Sequence, residues 1–134
     1  TLGLGWAASR LLRRFGPDDQ SRAKSRELAR RRTLLGEAAA AVESGDGFYP
    51  KLAELLQAVA VGRAGPEGVG LTRDRLMRLL TERGVPNEDI EQLRELLDAC
   101  DAARFGSGVG SVEQRRAHLE RARSLLNRRG WGPG

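Results

Sequence analysis

The stretch LTRDRLMRLLTERGVPNEDIEQLRELLDACDAARFG, residues 71–106, carries the signals for two consecutive helices joined by a tight turn. Thr72 precedes the first periodic apolar residues and is placed to act as an N-cap. Gly84 and Pro86 predict the end of the first helix, because glycine suits the left-handed C-terminal position and proline cannot continue the helix. The predicted buried face of this helix comprises Leu76, Leu79 and Leu80.

The second helix is predicted to begin at Asn87, as its cap, and to run to about Arg104. Its apolar residues fall on one face, and Asp98 and Asp101 point away from that face. The two aspartates are spaced to pair with Arg94 and Arg104 of the same helix. The predicted apolar face comprises Leu93, Leu96, Leu97, Cys100 and Ala103.

Cys100, the only cysteine, is therefore predicted to be a small buried hydrophobe. A reactive thiol is typically exposed beside a basic group or a histidine, and one helix cannot bring Cys100 and both aspartates together. His118, the only histidine, is predicted to lie on the flank of a packed helix. A Cys100–His118 catalytic pair would need two helices to meet at those residues, so we do not expect one.

Upstream of this stretch, the sequence predicts two antiparallel helices. The first has its apolar face on Leu28, Leu35, Ala39 and Val42 and ends at ESGDG, where Gly45 is expected as the C-cap. Asp46 is expected to cap the second, in whose first turn Pro50 is tolerated. The apolar face of the second helix comprises Phe48, Leu52, Leu55, Leu56 and Val59.

Downstream, GSGVG interrupts the chain and SVEQ, residues 111–114, has the form of a capping box. The last helix is predicted to end near Gly130, with Val112, Leu119, Ala122 and Leu126 on one face. No segment shows convincing strand alternation. The sequence therefore predicts an all-α fold, a single compact bundle of about five helices comprising an αα-hairpin and three further helices.

The net charge of +5 is concentrated in a basic N-terminal arm, residues 10–32. This arm follows the uncharged segment TLGLGWAAS, residues 1–9, which we interpret as the end of a transmembrane helix or as a frayed terminus. The helical domain is predicted over residues 33–130, with residues 131–134 as a tail. The basic residues expected near the membrane are Arg10, Arg13, Arg14, Arg22, Lys24, Arg26, Arg30, Arg31 and Arg32.

Nothing in the sequence indicates an enzyme. The glycine-containing stretches GLGWAA and GSGVGS do not follow predicted strands, so they are weak matches to dinucleotide-binding loops. We predict no catalytic, cofactor-binding or metal-ligating residues, and no cofactor. Phe105, Val109 and Trp131 fall at or beyond helix ends, where each is either a surface contact or a plug that closes the core.

Residues 70–106 resemble the C-terminal cytoplasmic region of the BatD aerotolerance (oxygen tolerance) family. The similarity lies in a Leu-Thr capped helix, a Gly-Val turn and a Leu-rich helix that closes on Cys-Asp-x-Ala-Arg-Phe. The upstream segment SGDGFYPKLAELLQA also resembles the family. The residues that carry the closing motif here are Cys100, Asp101, Arg104 and Phe105.

The resemblance implies a non-catalytic interaction module, the cytoplasmic tail of a single-pass protein at the inner membrane. Residues 1–9 would then end the membrane helix, and the arm would lie against the cytoplasmic surface. The implied partners are von Willebrand factor A-type membrane proteins and a MoxR-type AAA+ ATPase, in an envelope-stress or oxygen-tolerance complex. No catalytic residues come with the resemblance.

Two other functions stay open at the level of sequence. The arginine-rich arm is compatible with nucleic-acid binding through phosphates, although no aromatic residues interleave the arginines after Phe15. The oxygen-tolerance association also suggests a thiol-dependent redox sensor, which would need a reactive Cys100.

Overall fold

A computed structural model describes residues 19–128 and residue 131 of this chain. Within those residues it contains five α-helices and no strand, which confirms the predicted all-α fold. The predictions for residues 1–9 and for Arg10, Arg13 and Arg14 lie outside the described residues. The helices are α1 (Asp19–Ala40), α2 (Phe48–Ala64), α3 (Arg73–Glu82), α4 (Asn87–Ala102) and α5 (Val112–Leu126). A 3-10 turn (Pro66–Gly68) precedes α3, and a π-helical turn (Ala103–Ser107) follows α4.

Helix α2 lies at the centre and contacts the other four helices. It is apolar around much of its circumference, so several neighbours are needed to remove it from water. All five residues predicted for its apolar face are buried, as are Tyr49, Ala60 and Ala64. The bundle thus forms around α2 as a shared core.

The ends of α3 and α5 follow their sequence signals. The Thr72 hydroxyl accepts from the Arg75 backbone N–H at 3.4 Å, and Ser111 and Gln114 form the reciprocal capping box at 3.1 and 3.0 Å. After α3, Gly84 has a φ of 89°. This left-handed residue lets the N–H of Val85 donate to the Leu80 carbonyl at 3.0 Å, which closes the helix end.

Two predicted N-caps are wrong. Helix α2 follows Gly47, whose φ is 74°, and no side chain caps it; the Asp46 backbone N–H instead bonds the Ser44 hydroxyl at 3.2 Å within the turn. Helix α4 follows Pro86 without a side-chain cap, and Asn87 is its first residue. The Pro86 carbonyl accepts from two backbone N–H groups there, at 3.0 and 3.1 Å. The predicted C-cap is also wrong: α1 ends at Ala40, and Gly45, with a φ of 78°, lies in the turn that follows.

The buried face of α1 is rotated from the predicted one. Leu28 is 40% exposed and Leu35 and Ala39 are only partly buried, whereas Leu34 and Ala38 are buried. Val42, beyond the end of α1, is buried as predicted. Helix α1 has 22 residues and α2 has 17, so at about 1.5 Å per residue the antiparallel α1 extends past the end of α2. Leu28 itself is level with the end of α2, because the neighbouring Glu27 side chain lies against Gly62, so its exposure reflects the side of α1 on which it lies.

Trp131 is fully buried, which shows that it is a plug and not a surface contact. Its carbonyl accepts from the Arg31 guanidinium at 2.7 Å, and the same guanidinium contacts the Glu27 carboxylate at 3.0 Å. Arg31 itself is buried. The packed unit thus includes residues on both sides of the predicted 33–130 boundaries.

Candidate partner-binding pocket

A pocket of about 550 Å³ opens between the turn that precedes α2 and the end of α4. We call it the α2–α4 pocket. Its surface is mostly apolar, with a few polar groups, which is the composition that suits a buried side chain or small ligand. It is lined by Gly45, Asp46, Gly47, Tyr49, Pro50, Ala53, Cys100, Asp101, Ala103, Arg104 and Val109.

The two segments that carry the family resemblance meet at this pocket. One side consists of residues 45–53, from the SGDGFYP segment, and the other includes Cys100, Asp101 and Arg104 from the closing motif. Phe105, the remaining motif residue, does not line the pocket. Its side chain is 77% exposed and lies 5.3 Å from the Arg104 guanidinium, measured from the ring centroid. Folding thus brings residues about 50 positions apart into one surface.

Cys100 lies in the inner part of the pocket and is only 4% exposed, as predicted for a buried hydrophobe. Burial, followed by the nearby Asp101 carboxylate, raises the pKa of the Cys100 thiol to about 12, against the smaller opposing effect of Arg73. The thiol is therefore protonated at neutral pH. A protonated thiol is a poor nucleophile, which weighs against the redox-sensor hypothesis.

We expect Cys100 in the folded chain to react slowly with Ellman's reagent. At about pH 8, a thiol of pKa about 12 has roughly a thousandfold less thiolate than an unperturbed cysteine, and burial slows it further. Stopped-flow absorbance on native and denatured chain gives the two rates, with Cys100→Ser as the blank. A native rate within about tenfold of the denatured rate would contradict this and revive the redox sensor.

The aspartates of α4 have a different partner from the predicted one. Arg73 of α3 contacts the Asp101 carboxylate at 2.7 Å and the Asp98 carboxylate at 3.0 Å. Within the described residues, neither aspartate pairs with Arg94 or Arg104. A guanidinium presents several donors in a fixed plane, so it can bridge two carboxylates on successive turns of a neighbouring helix. Sequence spacing within α4 could not reveal this contact between helices.

Tyr49 forms part of the pocket wall, and its hydroxyl is hydrogen-bonded to His118. The Tyr49 hydroxyl lies 2.9 Å from Nδ1 of His118, and the two rings pack edge to face. Burial, and then the nearby Arg121, lowers the pKa of His118, while burial raises the pKa of Tyr49. Both side chains are therefore neutral at neutral pH, which allows the tyrosine to donate to the imidazole. His118 lies on the flank of α5, as predicted.

Arg115 of α5 connects the two loops that border the pocket. Its buried guanidinium donates to the carbonyls of Val42 (2.6 Å) and Glu43 (3.2 Å) in the turn after α1. It also donates to the carbonyls of Val109 (3.0 Å) and Gly110 (2.7 Å) before α5. The sequence predictions did not include Arg115. It lies three residues after Val112 and four before Leu119, and this spacing indicates that Arg115 lies on the apolar face of α5.

The basic residues of α1 divide into three groups. Arg31 is buried against Trp131 and paired with Glu27, so it does not present its charge to a surface. Arg30 is exposed but pairs with Glu54 of α2 at 3.2 Å. The remaining cations are exposed and have no ion pair within the described part of the chain; they are Arg22, Lys24, Arg26 and Arg32.

Over residues 19–128 and 131, no group of three or more His, Cys, Asp or Glu side chains is arranged to hold a metal ion. No α-helix in that part of the chain is both long and apolar enough to cross a bilayer. Comparisons of the chain with protein-family profiles, curated proteins and solved structures found no match. The function is therefore inferred from the pocket, the exposed charges and the segments that carry the resemblance.

Proposed function

We propose that this chain is a non-catalytic protein-protein interaction module that receives its partner in the α2–α4 pocket. The observation that supports this proposal is the convergence of the two family-like segments on one apolar pocket. An apolar pocket bordered by a few charges suits an anchoring side chain, because burial supplies affinity and the charges supply orientation.

The polar groups at the pocket suit binding better than covalent chemistry. The Cys100 thiol is protonated, and the Asp101 carboxylate is engaged by Arg73 at 2.7 Å. Arg104 is an exposed cation, and Tyr49 bonds to His118. Nucleophilic catalysis requires a nucleophile next to a base, and these pocket residues do not form such a pair.

The resemblance supplies the proposed setting. We propose that the module is the cytoplasmic tail of a membrane-anchored aerotolerance or envelope-stress protein, at the cytoplasmic face of the inner membrane. Its proposed partners are von Willebrand factor A-type membrane proteins and a MoxR-type AAA+ ATPase. Because α1 extends past α2 before it meets the rest of the bundle, it would hold the pocket away from the anchoring end.

A pocket-filling substitution tests this function. Ala53 lines the pocket from α2, so Ala53→Trp should occupy the site without changing charge. Ala117→Trp makes the same change at an exposed position of α5 and is the matched control. Tagged residues 1–134, purified from detergent-solubilised cells, should bring down von Willebrand factor A-type proteins or the MoxR-type ATPase. We expect that recovery to fall at least tenfold for Ala53→Trp only, equivalent to about 1.4 kcal/mol.

Equal recovery with both tryptophan variants would show that the partner binds elsewhere. Circular dichroism on each variant verifies that both remain helical. Recovery of neither partner class by the unmodified chain would remove the proposed setting. The bait is not a fragment that begins at residue 33, because Arg31 belongs to the packed unit.

The exposed cations of α1 support a second contact, with an anionic membrane surface. Each Lys or Arg near such a surface contributes about 1 kcal/mol. We expect the triple variant Arg22→Gln/Lys24→Gln/Arg26→Gln to lose most binding to phosphatidylserine-containing vesicles in a sedimentation assay. Pure phosphatidylcholine vesicles are the control. Binding that is insensitive to salt or to these substitutions would contradict the electrostatic contact.

Nucleic-acid binding through the same residues stays a prediction from the sequence. The unmodified chain and the same triple variant can be assayed with a DNA duplex in place of the vesicles. Binding to the duplex that is lost in the variant would support nucleic-acid binding. Replacing Arg30, Arg31 and Arg32 together is a poorer test, because Arg31 is buried and Arg30 already pairs with Glu54.

A further inference from the structure

We propose that Arg104 selects the partner of the α2–α4 pocket, by binding a carboxylate next to an apolar anchor. The occupant would be a short segment of a partner protein with one large apolar side chain and an Asp or Glu within about one helical turn. This inference rests on the proposed function of the pocket and specifies the chemistry of its partner.

The first support is the electrostatic state of Arg104. Asp101 is three residues earlier on the same helical path, the spacing at which the two would ordinarily pair. Arg73 instead pairs with the carboxylates of both Asp101, at 2.7 Å, and Asp98, at 3.0 Å. Within the part of the chain that the structure describes, Arg104 thus lines the pocket without a carboxylate partner. Its planar donors are suited to bind a carboxylate in two parallel hydrogen bonds.

The second support is the position of Phe105. Its ring lies 5.3 Å from the Arg104 guanidinium, a cation–π distance. Such a contact restricts the guanidinium without using its hydrogen-bond donors. Phe105 is 77% exposed and Val109 is 44% exposed, so apolar surface continues from the pocket onto its border. An arginine fixed beside exposed apolar surface is typical of residues that contribute most to binding at interfaces.

The third support is the distribution of charge around the opening. Asp46, at the turn before α2, is exposed and has no ion pair within the described residues. A carboxylate on the partner would be repelled by Asp46 and attracted by Arg104, while the other carboxylate that lines the pocket, Asp101, is bound by Arg73 at 2.7 Å. The pocket therefore favours an acidic residue on the α4 side of the anchor and disfavours one on the α2 side.

A library of random twelve-residue peptides displayed on phage provides the probe. Panning against the unmodified chain, residues 1–134, should enrich Leu, Met, Phe or Trp with Asp or Glu three or four positions away. Arg104→Glu should abolish that acidic preference and replace it with Lys or Arg at the same spacing. Arg75→Glu, an equal change of charge at an exposed position of α3, should leave the preference unchanged.

One enriched acidic peptide and its Asp/Glu→Lys version then give affinities by fluorescence anisotropy. We expect at least a tenfold loss on Arg104→Glu, and at least partial recovery when the charge-reversed peptide meets Arg104→Glu. Enriched peptides that need an open pocket but show no acidic preference, or no change with Arg104→Glu, would overturn this inference and leave the docking function standing. Peptides that still bind Ala53→Trp would overturn the docking function itself, as would failure to enrich any peptide.

A second copy of this chain is the competing occupant, since Phe105 of one chain could enter the pocket of another. Sedimentation velocity at increasing concentration distinguishes the two. A dimer that disappears in both Ala53→Trp and Phe105→Ala would assign the pocket to self-association and overturn the peptide proposal. We expect a monomer over the range used for the peptide measurements.

Discussion

Arg115→Ala should lower the free energy of unfolding of the domain by about 3–4 kcal/mol. The guanidinium is buried and donates to four backbone carbonyls, at 2.6, 2.7, 3.0 and 3.2 Å. Each carbonyl that loses its donor while buried costs about 1–3 kcal/mol. Water can reach some of them after the side chain is removed, so the total is smaller than four full penalties.

Arg115→Ala should also weaken peptide binding, because the carbonyls belong to the two loops that border the α2–α4 pocket. Urea unfolding followed by circular dichroism measures the stability change. Arg116→Ala is the matched control: this neighbour is exposed and pairs at 3.0 Å with the exposed Glu43, so about 0–1 kcal/mol is expected. Equal effects at residues 115 and 116 would show that the buried network contributes little.

Trp131→Ala should lower the free energy of unfolding by about 3–5 kcal/mol. The indole is fully buried, so its removal leaves a cavity in the core. The Trp131 carbonyl belongs to the backbone and remains, but nothing then positions it against Arg31. A lowered unfolding midpoint in urea, with an unchanged slope, is the expected observation.

Two substitutions make the Trp131 result specific. Trp131→Phe keeps most of the buried apolar area, so its free energy of unfolding should fall by less than that of Trp131→Ala. Phe105→Ala removes an aromatic ring that is 77% exposed, so it should change stability by less than about 0.5 kcal/mol. If Trp131→Ala matched Phe105→Ala, residue 131 would not be part of the cooperative unit.

The helices that the sequence predicted best are those whose signals are local. Thr72, Gly84 and the Ser111–Gln114 capping box mark helix ends through contacts within a few residues, and the structure confirms all of them. Asp46 and Asn87 are residue types that favour N-caps, but the N-cap positions in the structure are the adjacent residues, Gly47 and Pro86. Propensity cannot resolve a shift of one residue.

The features of the candidate site that the sequence did not reveal depend on contacts between helices. Arg73 reaches across to Asp98 and Asp101, and Arg115 reaches the turn after α1. The neighbouring arginines place Arg31 with the basic arm, although it lies three residues before the buried Leu34. A charged residue in register with an apolar stripe is the signal that identifies such positions.

The contact between Arg31 and Trp131 also bears on the order in which the domain folds. It joins residues 100 positions apart, so its formation requires closure of a loop that contains nearly all the other helices. Closure of so long a loop has a large entropic cost unless the intervening helices are already packed. Native contacts near Trp131 should therefore form after the transition state, and changes there should act mainly on the unfolding rate. The resistance of this domain to opening would then depend on the part of the structure that is completed last.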